Sequence, residues 1–293
     1  MAARDIENRF LGSLLGLAIG DALGMPVGSM TIEETQAKYG RIGTYLPRDE
    51  GTDREIPAGE ITDETETTLC IVESMTTNNG QVDTENINAR LLHLAEGASQ
   101  HWMPTGTREG IIAASENGGI VPEGFSRPPS LAEGVVGVPI GLMHSVGGFD
   151  QDAFGHDLNL IARLTNANPD QRQVTTQIAT MVAGIARGEL PKLVGEEVGA
   201  TGGPGEDVAA IVGDVANAKS FDEVVFETVN RRRPADSAGA VAGALAGARF
   251  GASGIPQWLI DGLEARVYLT LAAPWFYRTA TRRAGLVIDL RQT

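Results

Sequence analysis

Apolar residues close to the N-terminus recur at helical spacing. Phe10, Leu14 and Leu17 fall on one face, so the pattern predicts a buried helix over residues 5–20. Glycine also recurs at every fourth position of this segment. A glycine inside a helix costs roughly 0.5–1 kcal/mol relative to alanine, so such a stripe indicates that a second helix backbone approaches closely. The glycines of the stripe are Gly12, Gly16 and Gly20.

A second stripe of the same kind lies at residues 236–251, where glycines alternate with alanines. We therefore expect the two striped helices to be central and tightly packed. Asp21 and Arg249 interrupt the two most apolar regions, which predicts core helices and argues against membrane spans. The glycines of this second stripe are Gly239, Gly243, Gly247 and Gly251.

Further helices are predicted over residues 65–77, 84–98 and 171–187, each followed by polar or glycine-containing sequence. Strand-like alternation is nearly absent. Segments rich in glycine, proline or charge, at residues 44–61, 117–134 and 195–205, are typical of long surface loops. The pattern predicts an all-α fold, with residues 1–293 in a single domain.

Composition narrows the class of protein. Hydrophobic residues make up 42% of the chain and charged residues 21%, as expected for a globular protein. The formal net charge of -15 argues against an extended nucleic-acid surface. The single cysteine, Cys70, cannot form an internal disulfide, and the first ten residues carry several charges in place of an apolar signal segment. We predict a cytoplasmic protein with no membrane role.

Oxygen-bearing side chains gather at residues 59–66, directly before an apolar helix. Asp63 and Glu64 can converge on one cation if they lie in the irregular turn at the helix start. Glu60 is close enough in the chain to contact a ligand or transfer a proton. The alternative interpretation is a capping box, with Asp63 as the N-cap and Glu66 three residues later.

Three consecutive arginines, Arg231, Arg232 and Arg233, precede a second helix start that contains Asp236 and Ser237. Guanidinium groups beside the amide donors of a helix N-terminus favour a bound anion. The alternatives are that Asp236 or Ser237 caps the helix and that the arginines form a solvated charge run. The four histidines have no metal-ligand spacing, so we assign them no role.

Three segments, in this order along the chain, resemble the landmarks of ADP-ribosylglycohydrolases. They are residues 16–27 (GLAIGDALGMPV), 62–65 (TDET) and 236–248 (DSAGAVAGALAGA). The resemblance implies a single-domain orthogonal helical bundle whose cleft binds ADP-ribose-like ligands. Members of this family hydrolyse a ribosyl bond with two Mg²⁺ ions.

The resemblance also implies roles for individual residues, and it shows where this chain departs from the family pattern. Glu64 replaces an aspartate, and Pro234 occupies the position of another. Gly28 stands where the family often has glutamate, and Asn166 replaces a familiar histidine. With one carboxylate ligand missing, we expect one Mg²⁺ ion or none. The implied metal ligands are Thr62, Asp63, Glu64, Asp236 and Ser237, and the implied catalytic residues are Asp63, Glu64 and Asp236. The substrate-binding candidates are those that the residues themselves suggest, namely Arg231, Arg232, Arg233 and Glu60.

The resulting hypothesis is a hydrolase that cleaves an N- or O-glycosidic ribosyl bond in an ADP-ribosylated or nucleotide-like substrate. The partner would be a small ribosylated molecule or an ADP-ribosylated protein. Two alternatives remain open at this point. One is a repurposed enzyme that acts on a nucleoside- or nucleotide-derived metabolite with one metal or none. The other is a catalytically inactive protein that binds an ADP-ribose-like ligand.

Overall fold

Helices form nearly all the regular structure of the described residues, which in this computed structural model are 3–49, 55–189 and 203–286. Within these ranges the β structure is one antiparallel pair of two-residue strands, β1 (Arg48–Asp49) and β2 (Glu55–Ile56), with Arg48 opposite Ile56. The all-α prediction is therefore confirmed. The α-helices are α1 (Ala3–Gly24), α2 (Ile32–Tyr39), α3 (Asp63–Thr77), α4 (Thr84–Glu96), α5 (Thr105–Ala114), α6 (Leu131–Gly134), α7 (Gly137–Met143), α8 (Gln151–Ile161), α9 (Pro169–Ala186), α10 (Pro204–Asn217), α11 (Phe221–Arg231), α12 (Ala235–Phe250), α13 (Gln257–Asp261) and α14 (Arg266–Arg283). Short 3-10 helices lie at Met25–Val27, Ala98–His101, Glu123–Phe125 and Ala252–Gly254.

The two glycine-striped helices, α1 and α12, pack backbone against backbone. A Cβ atom built on Gly16 would lie 2.1 Å from the carbonyl oxygen of Gly243, and one on Gly20 would lie 1.8 Å from that of Gly239. Gly12 faces Gly247 in the same way, so the helices run antiparallel. No side chain larger than hydrogen fits between them, which confirms the predicted close contact.

The remaining predicted helices are found with small shifts at their ends. Residues 65–77 lie in α3, 84–98 largely in α4 and 171–187 largely in α9. The predicted loop over residues 117–134 contains a 3-10 turn and the short helix α6. Of the predicted loop at 195–205, residues 195–202 lie outside the described residues, and α10 begins at Pro204.

The segment Asp5–Val27 is long and apolar enough to cross a membrane by length and composition. We expected Asp21 to exclude this segment as a candidate membrane span, and that expectation is wrong. However, 94% of the most apolar window is buried inside the protein, because α1 packs against α12. A core helix meets the same criterion as a membrane span, so this segment does not indicate a membrane protein.

Buried apolar side chains from Phe10 to Ala280 belong to one core cluster in the described part of the chain. The single-domain assignment of residues 1–293 stays a prediction. Cys70 is buried, as core packing requires. His144 is also buried, with Nε2 2.8 Å from Asp157, and Arg283 lies 2.7 Å from the same carboxylate. This histidine is part of a structural ion-pair network.

Candidate functional site

The contact between α1 and α12 brings distant parts of the chain together. A Cβ atom on Gly24, the last residue of α1, would lie 2.3 Å from the backbone of Ala235, the first residue of α12. The end of α1 is thus fixed beside the start of α12. The first turn of α3 joins them through side-chain hydrogen bonds to Asp21, on the last turn of α1.

Asp21 is completely buried and anchors the start of α3. One carboxylate oxygen accepts a hydrogen bond from the Thr62 backbone N–H at 3.0 Å, and the other accepts one from the Thr62 hydroxyl at 2.5 Å. The Thr65 hydroxyl donates to the first oxygen at 2.5 Å. Sequence reasoning missed Asp21 as a site residue. Its signal was a lone charge in the apolar part of α1 that follows Arg9, because such a charge requires buried hydrogen-bond partners.

Glu64 connects the two helix starts. One of its oxygens accepts a hydrogen bond from the Thr62 hydroxyl at 2.5 Å, and the other accepts one from the Ser237 hydroxyl at 2.6 Å. The Thr62 hydroxyl therefore lies between the carboxylates of Asp21 and Glu64. A hydroxyl has one proton to donate, so it can donate to only one of the two carboxyl groups. The hydrogen bond with the other needs a proton on that carboxyl group. The arrangement holds a shared proton wherever no cation replaces it.

Neither helix start uses these residues as caps. In α3 the N-cap position belongs to Thr62, which makes no side-chain capping hydrogen bond, and Asp63 is already helical. In α12 the N-cap position belongs to Pro234, which has no hydroxyl or carboxylate to offer. The Asp236 carboxylate instead accepts a hydrogen bond from the Ser237 N–H at 2.8 Å. The capping interpretations therefore do not describe either motif.

Burial, together with nearby negative charge, raises the pKa of three carboxyl groups. Burial, followed by the charge of Glu64, raises the pKa of Asp63 to about 10 and that of Asp236 to about 7. The same two causes raise the pKa of Asp21 well above its ordinary value. Within the described residues no arginine or lysine forms an ion pair with Asp63 or Asp236. The cluster would be stabilised by a cation.

Asp63 and Asp236 border a cleft of about 390 Å³. The wall beside them is formed by the starts of α3 and α12, and it includes Glu64, Pro234 and Ser237. The opposite wall comes from the segments around α5 and α6, and its members include Trp102, Thr107, Arg127, Glu133 and Thr165.

The opposite wall is held by an ion pair between Arg127 and Glu133. Arg127 also donates to the carbonyl oxygens of Gly106 at 2.8 Å and Thr165 at 2.6 Å. The side-chain amide of Asn166 donates to Glu133 at 2.6 Å. Asn166 is therefore part of this wall. It stands where the family has a familiar histidine. Sequence reasoning missed Arg127 and Glu133, because their pairing depends on tertiary contacts.

The three arginines interact with protein groups outside the cleft lining. Arg231 is exposed and lies 2.9 Å from Glu227. Arg232 pairs with acidic residues of α10, and Arg233 donates to backbone carbonyl oxygens, including that of Met30 at 2.6 Å. The described residues that line the cleft include none of these arginines and not Glu60. Their proposed contacts with substrate stay a prediction.

The residues that border the cleft offer few carboxylates to a cation. Within the ranges that the structure describes, no three His, Cys, Asp or Glu side chains are placed together so as to hold a metal ion. Pro234 supplies no side-chain oxygen. A Cβ atom on Gly28 would lie 2.1 Å from an Asp236 carboxylate oxygen, so this carboxylate occupies the space of a side chain at position 28. The oxygen chemistry fits Mg²⁺, with fewer carboxylates than a two-ion centre requires.

A sequence model of the ADP-ribosylglycohydrolase family matches residues 2–285. The chain belongs to this family. The Rhodospirillum rubrum ADP-ribosyl-[dinitrogen reductase] glycohydrolase is 28% identical over 286 residues, which cover 91% of this chain and 94% of that protein. An uncharacterized protein of Archaeoglobus fulgidus is also 28% identical, over 94% of this chain and 98% of its own length.

Solved structures support the same fold. A chain described as an ADP-ribosylglycohydrolase-related protein complex superposes with a TM-score of 0.72 and 23% sequence identity. The match covers 94% of this chain and 99% of that chain. The all-α fold of the family therefore extends over nearly the whole molecule.

Proposed function

We propose that the protein is a hydrolase that cleaves an N- or O-glycosidic ribosyl bond in an ADP-ribosylated or nucleotide-like substrate. Membership of the family suggests glycohydrolase activity towards ADP-ribosyl compounds. The observation that carries the proposal is the cleft that Asp63 and Asp236 border together. Carboxylates at a glycosidic bond are the groups that this hydrolysis requires.

We propose one Mg²⁺ ion for this cleft, with oxygen donors from Thr62, Asp63, Glu64, Asp236 and Ser237. The charge of an ion would balance these carboxylates, whose pKa values are raised by burial and then by the charge of Glu64. When bound, Mg²⁺ would orient the ribose and polarise a reacting oxygen. Pro234 leaves one coordination position to water or substrate.

The protein side chains would divide the remaining work. Hydrolysis forms a bond between the water oxygen and the anomeric carbon, and it breaks the bond from that carbon to the leaving nitrogen or oxygen. The leaving atom keeps the bonding electrons and takes up one of the two water protons. Positive charge develops on the sugar ring, which the carboxylates of Asp63 and Asp236 stabilise. Asp63 borders the cleft, so its ionised carboxylate would accept a proton of the attacking water. Glu64 positions the two helix starts through Thr62 and Ser237.

The substrate would be a small ribosylated molecule or an ADP-ribosylated protein in the cytoplasm. Arg231, Arg232, Arg233 and Glu60 could reach such a substrate only from outside the cleft lining. A substrate of modest size that fills the cleft between Asp63 and Trp102 needs none of them.

The test is hydrolysis of a panel of ribosylated compounds, measured with Mg²⁺ and with a chelator. Asp63→Asn and Asp236→Asn should each lower turnover by about 10²-fold or more, the usual effect of losing an acid–base or charge-stabilising group. Asp170→Asn is the matched control, because this aspartate also lies in a first helical turn but is exposed. Tight ligand binding with no turnover under any condition would instead favour the inactive binding protein.

A further inference from the structure

Helix α14 has an apolar face with no partner in the described part of the chain. Val267, Leu271 and Trp275 lie four residues apart and are therefore on one side of the helix. Their side chains are 62%, 65% and 58% exposed, respectively. The opposite side, which includes Leu269 and Phe276, is buried in the core. Contiguous exposed apolar surface of this kind is typical of a protein interface.

Two opposite charges border this face, at equal separations along the sequence from its central residue, Leu271. Glu264 is exposed in the turn before α14, three residues before Val267. Arg278 is three residues after Trp275, and its guanidinium lies 5.1 Å from the centre of the Trp275 ring. Both charges are seven positions from Leu271. From Glu264 to Arg278 the order of residue types along the face is acidic, apolar, apolar, apolar and basic. The exposed Arg282 follows four residues later.

This order is complementary to its own reverse. An isologous interface requires a surface that fits a second copy of itself after a two-fold rotation. If the rotation axis passes through Leu271, Glu264 meets Arg278 of the second copy, and Val267 meets Trp275 of the second copy. Glu264 and Arg278 then each face an opposite charge, and the large aromatic ring faces a smaller side chain. A parallel arrangement would instead place like charges together.

We propose that the α14 face, defined by Glu264, Val267, Leu271, Trp275 and Arg278, binds a second copy of this chain in an antiparallel homodimer. Leu271 packs against its own counterpart at the axis. Tryptophan and arginine are the residue types that contribute most at interface centres. One helix pair buries less than the roughly 800 Å² per partner of a standard interface, so the dimer dissociates on dilution.

The experiment is sedimentation velocity of the whole chain over a wide range of concentration. The wild type should pass from monomer to dimer, and Leu271→Arg should remain monomeric because two arginines would meet at the axis. Glu264→Arg and Arg278→Glu should each weaken dimerisation by about tenfold or more, since each creates two like-charge contacts across the axis. The double variant Glu264→Arg with Arg278→Glu should recover wild-type association, because every pair is again opposite in sign.

Recovery in the double variant is specific to this register, and a loss of folding cannot produce it. Arg172→Glu and Glu116→Arg are matched charge controls, since both residues are exposed on other parts of the surface. They should leave association unchanged. A wild type that stays monomeric, a Leu271→Arg variant that still dimerises, or a double variant that stays weak would each overturn the proposal.

Discussion

The Ser237 hydroxyl donates a 2.6 Å hydrogen bond to the buried carboxylate of Glu64, which is 173 positions earlier in the chain. This bond joins the first turn of α12 to the first turn of α3. Asp63 and Asp236, the neighbours of these two residues, are thereby held beside the same cleft.

Ser237→Ala should lower the free energy of unfolding by about 1–3 kcal/mol, because a buried carboxylate oxygen loses its donor. Urea denaturation measures the change. Ser115→Ala is the control, since that hydroxyl donates to Ile112 at an exposed helix end and its loss should have little effect. Equal losses of unfolding free energy in the two variants would mean that the Ser237 hydrogen bond stabilises the fold no more than an exposed one does.

Pro234→Asp should strengthen Mg²⁺ binding by about tenfold or more, because it supplies a carboxylate oxygen at the edge of the cleft. Calorimetric titration of the wild type should show at most one weak ion, and Asp63→Ala and Asp236→Ala should abolish it. Pro256→Asp is the control, since Pro256 also precedes a helix but lies outside the cleft lining. If Pro234→Asp has no effect and both alanine variants bind as the wild type does, these residues form no metal site.

Gly28→Glu, which introduces the residue common in the family, should destabilise this chain in the absence of metal. The new Cβ would overlap the Asp236 carboxylate, and the added negative charge would repel it. Thermal unfolding should show the loss, with partial recovery on addition of Mg²⁺. Gly124→Glu is the control, because a side chain there meets nothing within 4 Å. An unchanged melting temperature for Gly28→Glu would show that Asp236 moves aside without cost.

Gly16→Ala should destabilise the protein by about 1–3 kcal/mol, because its methyl group would overlap the Gly243 carbonyl across the α1–α12 contact. Gly155→Ala should instead increase the free energy of unfolding. Gly155 is also helical, but a Cβ there meets nothing within 4 Å, so the gain in helix propensity of up to about 1 kcal/mol remains. Chemical denaturation of both variants tests the contrast.

The stability of the metal-free protein should fall as pH rises. An unfolded aspartate has a pKa of about 3.9, whereas the folded protein raises the pKa of Asp236 to about 7 and that of Asp63 to about 10. The folded state therefore holds these protons more tightly. The stabilising contribution is complete below about pH 4 and is lost as pH rises through about 7 and towards 10.

Mg²⁺ should oppose this loss, because it binds the ionised carboxylates. Thermal unfolding with and without Mg²⁺ at several pH values measures the effect, and the stabilisation by Mg²⁺ should grow with pH. In the double variant Asp63→Asn with Asp236→Asn, this part of the pH dependence should disappear. A double variant with the same pH profile as the wild type would assign the effect to other groups.

The sequence predicted the features whose cause is local or periodic. Glycines at every fourth position in α1 and α12 indicated a close helix contact. Glycine destabilises a helix, and a second backbone that packs closely against it offsets this loss. Helix α14 was missed, since Pro274 lies within it and its exposed face interrupts the usual apolar period. A proline in a helix normally marks a boundary.

The site was predicted only in part for a related reason. Asp63 and Asp236 stand at recognisable helix starts, so their sequence surroundings identified them. Asp21 and Glu133 act through partners that are distant in the chain, such as Thr62 and Asn166. The arginine run looked suitable for an anion, but Arg232 and Arg233 bind nearby protein groups that no spacing rule reveals.

Substitutions should be tolerated less well at the glycine contact between α1 and α12 than elsewhere around the cleft. Because the backbones touch, even one added methyl group on that seam is penalised, and the seam should change very slowly. The wall around Arg127 and Asn166 is held by side-chain hydrogen bonds and an ion pair, so single substitutions there should cost less than on the seam. New ligand preferences can therefore arise on one side of the cleft while the reactive side keeps its inherited shape.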